Sequence, residues 1–134
     1  MSHRERLLVA ARHCLVTQGY ARTTARDLVA ASDTNLGSIG YHFGSKDTLL
    51  DLALQQAQVE YVEKVLAVAT AAGESTGGLE AVKASWIEMV AAFGEMRELT
   101  IAFFEALVQG ERSPELRAGL AATSRQMRDT IRTT

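Results

Sequence analysis

The stretch TTARDLVAASDTNLGSIGYHFGSKDTLL, residues 23–50, constrains the fold more than any other part of the chain. Thr24 is a good helix N-cap, and Asp27 three residues on gives a T-x-x-D capping box, each side chain satisfying a free N–H of the other residue. The helix that follows carries Ala25, Leu28 and Ala31 on one face and ends near Ser32. Asp33 stands where the chain must reverse, and Asp tolerates a left-handed backbone better than most residues. Asn35 is a strong cap for a second helix, 36–42. That helix is so short, and so weakened by Gly37 and Gly40, that only tertiary packing can hold it, with Ile39 and Phe43 as anchors. Gly44 ends it, and Ser45 caps the next helix with Asp47 in its first turn. Two short helices on a tight turn, with a third behind them, form the layout of a helix-turn-helix element.

A short helix carrying two glycines lets its backbone approach another surface closely, while Ser38, Tyr41 and His42 are expected to project outward. Hydroxyls, amides, lysines and backbone N–H groups are common donors to phosphates, and Asn35, Ser38 and Tyr41 have the reach for base edges in a major groove. The same glycines would also suit a plain corner of a helical bundle, so these residues alone leave both uses open.

The stretch closely resembles the DNA-binding region of TetR-type (tetracycline-repressor-like) transcriptional regulators. The matching features are Thr23 and Thr24, the run Arg26-Asp27-Leu28, Gly37, and Tyr41-His42-Phe43-Gly44-Ser45-Lys46. Upstream, Leu7 to Gly19 followed by Tyr20 is similar to the family's first helix and closing glycine. The resemblance is specific over residues 4 to 54 and departs at two points. Asp33-Thr34-Asn35 replaces a frequent Gly-Val-Ser, and Gly40 replaces a bulky, often aromatic residue. The resemblance implies phosphate contacts from Thr24, Tyr41, His42 and Lys46, with Asn35, Leu36, Gly37 and Ser38 at the groove-facing start of the recognition helix. It also implies a cytoplasmic, ligand-responsive repressor that binds a palindromic double-stranded operator as a homodimer, without a cofactor. Its body holds an unknown small-molecule effector.

Composition agrees with an all-α chain: one proline, ten glycines and abundant alanine and leucine. The expected architecture is a three-helix reading head over 1–50 and a helical-bundle regulatory body over 51–134. No run of apolar residues is long enough for a membrane span, and the charged N-terminus is unlike a signal peptide. The single cysteine, Cys14, shares a face with Leu7, Ala11 and Leu15 and reads as a core thiol in a reducing compartment. Net charge is −2, unevenly spread: residues 1–50 hold six basic and four acidic groups, the remainder eight and twelve. A mildly basic head on an acidic body suits a reader that makes few phosphate contacts.

In the body, helices are expected over 46–72, 79–94, 96–109 and from Pro114 onward, with a polar loop over 73–78. The second of these carries a stripe of Leu79, Val82, Trp86, Met89, Val90 and Phe93. Effector contacts are expected from Trp86, Met89, Phe93, Phe103, Phe104 and Met127, though aromatic and methionine residues at helical spacing more often form plain core. The last residues, Arg132-Thr133-Thr134, fall inside an apparent helix, whereas regulators of this type usually continue into further helices, so the body is expected to be incomplete. Enzyme chemistry finds no support in the residues. His3, His13 and His42 lack metal-ligand spacing, the pairs Glu60/Glu63 and Glu95/Glu98 have no Glu-x-x-His element, and no phosphate loop or nucleophile elbow occurs. The competing reading is an all-helical small-molecule-binding or protein-interaction module without DNA binding.

Overall fold

The computed structural model describes residues 1–73 and 77–132. Among these lie seven helices: α1 (His3–Thr17), α2 (Ala25–Ser32), α3 (Leu36–Phe43), α4 (Lys46–Gly73), α5 (Leu79–Glu95), α6 (Arg97–Gly110) and α7 (Pro114–Arg132). The middle of the loop expected over 73–78, and the last two threonines, lie outside the described residues.

α1 begins four residues earlier than the Leu7 start that the family resemblance marks. Ser2 caps it and Glu5 closes a capping box, with the Glu5 carboxylate held below its usual range by the Ser2 backbone N–H and then its hydroxyl. The apolar residues of α1, Leu7, Ala11, Cys14 and Leu15, are buried as their spacing predicts. Burial pushes the Cys14 thiol up, and nearby Asp27 adds to the shift.

One core cluster runs through both halves of the molecule. It joins Leu7, Ala11 and Leu15 of α1, Leu28 of α2, Ile39 and Phe43 of α3, and Leu49, Leu50 and Leu54 of α4 to Ala106 of α6 and Leu116 and Leu120 of α7. α4 is the shared beam. It packs on α1 and α3 at one end and on α6 and α7 along its length. A smaller cluster of Ala57, Met96, Leu99 and Ala102 fixes the start of α6 against α4.

α5 is rotated from the expected phase. The residues that turn toward the bundle are Ala81, Ser85, Met89 and Ala92, and none is fully buried. The large stripe Leu79, Val82, Trp86, Val90 and Phe93 is exposed, with Ile87 beside it. Hydrophobic spacing finds the largest side chains, but three of the four inward-turned residues, Ala81, Ser85 and Ala92, are small.

Polar contacts supplement the core where α1 gives way to α2. After Gly19, which adopts φ +84°, the Tyr20 backbone N–H donates to Glu105 of α6 at 3.3 Å, and its hydroxyl donates to Asp51 of α4 at 2.8 Å. Burial, with like charge from Asp47 and Glu115, raises the Asp51 carboxyl above its usual value, and the Tyr20 bond only partly offsets this. A carboxyl whose folded value is raised supports the fold at low pH and loses that support as pH climbs through the raised value. Asp51→Asn keeps an acceptor for Tyr20 and removes the charge. The variant is expected to melt about 1–3 °C higher than the parent at pH 7, with the difference vanishing near pH 4, as followed by circular dichroism.

Candidate nucleic-acid interface

The helix-turn-helix element is assembled by caps rather than by helix propensity. Thr24 accepts from the Asp27 N–H, while the Thr24 N–H and hydroxyl donate to Asp27 Oδ2 at 2.8 and 2.7 Å. These bonds, the backbone one first, hold the Asp27 carboxylate below its usual range. Thr24→Ala is expected to cost about 1 kcal/mol, read as a lower melting temperature that Thr24→Ser restores. Within α2 the buried residues are Leu28 and Ser32, whose hydroxyl donates to Leu28 O at 2.7 Å; Ala31, expected inward, is exposed.

The turn is made by Asp33 at φ 52°, ψ 51°, the left-handed conformation that the sequence requires of it. Asn35 caps α3 by accepting from the Ser38 N–H at 3.0 Å. Ile39 and Phe43 anchor the short helix in the core, and Gly44 at φ +80° closes it. Ser45 then caps α4 by accepting from the Thr48 N–H at 3.1 Å.

This scaffold leaves Asn35, Leu36, Gly37, Gly40 and Tyr41 exposed along one side of α3, with Tyr41 87% exposed. Nothing stands within 4 Å of a Cβ built at Gly40, so the middle of that face is bare backbone. His42 is half-buried, its ring edge-on to Tyr41 at 4.9 Å. Lys46, also half-buried, donates from Nζ to the Thr23 carbonyl at 3.0 Å and lies 3.7 Å from Asp47. An ammonium has three donors, so one remains for a phosphate.

Ser38 departs from expectation. It is only 8% exposed, and its hydroxyl lies 3.2 Å from His3 Nδ1 and 3.4 Å from Asn35 Oδ1. The start of α1 crosses α3 here: beside the His3 contact, the Arg4 guanidinium sits 5.4 Å over the Phe43 ring, and Arg6 lies 3.8 Å from Asp33. The S-x-x-E box at Ser2 and Glu5 was the signal that α1 extends far enough to do this.

The residues expected to line an effector site do not converge. Trp86, Phe93 and Phe104 are exposed, and Met89 and Met127 are half-buried. Phe103 is half-buried, stacked on Tyr61 at 4.6 Å and edge-on to Phe104 at 5.8 Å. Trp86 and Phe93 lie on the exposed side of α5. A cleft of about 320 Å³ lies between Val9, Arg12, His13 and Val16 of α1 and Glu98, Leu99 and Ala102 of α6, and none of the six lines it. Among the described residues no group of three His, Cys, Asp or Glu side chains is placed to hold a metal ion, and no helix is long and apolar enough to cross a membrane.

Residues 7–53 match the family described as bacterial regulatory proteins, tetR family. No curated protein sequence matches the chain. Among solved structures, SCO7518 from Streptomyces coelicolor A3(2), assigned to transcriptional regulation, superposes with a TM-score of 0.70 at 21% identity, over 98% of this chain and 74% of its own. The multidrug binding protein EbrR complexed with imidazole gives 0.69 at 25% identity, over 94% of this chain and 69% of its own. EbrR complexed with malachite green gives 0.64 at 24% identity, over 94% and 71%. Residues 7–53 thus carry the match to the tetR family of bacterial regulatory proteins, on a helical chain with the fold of these solved structures.

Proposed function

We propose that this transcriptional regulator lays α3 in the major groove of a palindromic operator, works as a homodimer, and releases DNA when a small molecule binds its body. The observation that carries the reading is the exposed side of α3, bare at Gly40, flanked by Asn35 and Tyr41, and held rigid by a capped left-handed turn. Residues 1–50 act as the reading head and 51–134 as the regulatory body. Thr24, Tyr41, His42 and Lys46 serve as phosphate contacts around the groove-facing start of the helix. The body fold shared with EbrR, itself a multidrug binding protein, supports a small apolar effector, with the Tyr61–Phe103–Phe104 stack as an aromatic platform. Two heads held about one helical turn apart would read a palindrome, and effector binding would act through any difference in its affinity for the two head arrangements.

Capture of sheared genomic DNA by the purified protein at moderate salt, followed by sequencing, tests this. A recovered palindrome with half-sites about one helical turn apart supports reading and dimerisation together. Recovery at background level overturns DNA reading and leaves an all-helical binding module. On the recovered operator, Lys46→Ala is expected to weaken every duplex sequence similarly and to lower the salt slope of binding by about one, measured by fluorescence anisotropy between 50 and 200 mM salt. An unchanged slope removes Lys46 from the phosphate contacts.

A further inference from the structure

We propose that Asn35 reads a guanine, through its amide nitrogen alone. The inference rests on the DNA-reading function proposed above and names the base that one residue of the head selects.

The argument begins with the cap. The Ser38 backbone N–H donates to the Asn35 side chain at 3.0 Å, and an N–H finds an acceptor only in the carboxamide oxygen. That fixes which way the amide points: Oδ1 turns into the helix start, and Nδ2 turns out. The Ser38 hydroxyl, 3.4 Å away, approaches the same oxygen. His3 Nδ1, at 3.2 Å from that hydroxyl, holds it from the other side. Gly37 makes room for the folded-back amide, since a Cβ there would stand 3.1 Å from Oδ1. The oxygen is therefore occupied twice from within the head, and Nδ2 has no partner among the described residues. Asn35 is exposed at the N-terminal end of α3, the end of a recognition helix that meets base edges.

An asparagine with both amide atoms free commonly pairs with adenine, accepting from N6 and donating to N7. Here the acceptor is spent on the cap, and two N–H donors remain. A donor-only group finds no acceptor on the cytosine edge, and on adenine only N7 beside an amino group that repels its second N–H. Guanine offers two adjacent acceptors, O6 and N7, and thymine a single one beside its methyl group. The guanine edge is the best match.

Selection of duplexes from a random pool by the parent, Asn35→Ser and Asn35→Asp tests the assignment. Both replacements are equal caps, so α3 persists, which melting curves check. The parent is expected to select guanine at one position per half-site. Asn35→Ser loses that preference, Asn35→Asp shifts it toward cytosine, and 7-deazaguanine at that position weakens parent binding about tenfold. The inference is overturned if both variants keep the parent's preferences, if the position that changes carries any other base, or if 7-deazaguanine binds as guanine does. A parent that selects no sequence at all overturns the DNA-reading function and this inference with it.

Discussion

Gly40→Glu is expected to abolish operator binding while leaving the protein slightly more stable than the parent. The two effects have opposite signs because they arise on opposite sides of the same residue. Toward the protein, Gly40 lies inside α3 with ordinary helical backbone, and an added Cβ meets nothing within 4 Å. Replacing a helical glycine by glutamate there gains up to about 1 kcal/mol, since the unfolded chain has less freedom to lose. Toward the DNA, a carboxylate would stand on the exposed side shared with Leu36, Gly37 and Tyr41. Like charge brought against phosphates costs several kcal/mol, so affinity should fall by roughly a hundredfold or more. Gly40→Gln has the same size without the charge and should retain far more binding. Anisotropy titrations and thermal melts on the three proteins decide the matter. If the glutamate variant binds as the parent does, this side of α3 does not face DNA.

Leu50→Ala is expected to be among the most damaging single truncations in the core. Leu50 is 0% exposed and belongs to the cluster that joins the head to α6 and α7 through α4. Removing its isobutyl group loses apolar burial and leaves a cavity among residues that cannot collapse onto it, at a cost of about 2–5 kcal/mol. Against a total stability of about 5–15 kcal/mol, that lowers the melting temperature by roughly 10 °C or more. Val90→Ala, on the exposed side of α5, should stay within about 0.5 kcal/mol of the parent. Because the core is continuous, loss of Leu50 should unsettle head and body together, seen as coincident transitions by circular dichroism and by loss of DNA binding. Two separate transitions would mean that the halves fold independently.

The head was legible in the sequence because local chemistry dictates it. Thr24, Asn35 and Ser45 are caps whose role depends on a few neighbouring residues, and Asp33 sits where the turn demands a left-handed backbone. Such features survive without knowledge of the tertiary fold. Ser38 was not legible in the same way. Its burial comes from His3, distant in sequence, which reaches it only because α1 starts at a capping box upstream of the apolar run. The existence of α5 was readable from its apolar spacing, but its rotation was not. The helix turns Ala81, Ser85 and Ala92 toward its neighbours, and periodicity weighted by side-chain size points instead to Trp86 and Val90. The same rotation leaves Trp86 and Phe93, expected as effector contacts, on the exposed side of α5.

The rotation of α5 also decides how this protein behaves under light. Trp86 is its single tryptophan and stands 61% exposed in the native state. Its indole emits from a watery setting before and after unfolding, so the emission maximum is a poor reporter of the core, which holds no tryptophan. The same exposure makes it a sensitive reporter of α5 itself. An aqueous quencher such as iodide should reach it freely, and anything that lies down on that helix should shield it and shift its emission to shorter wavelength.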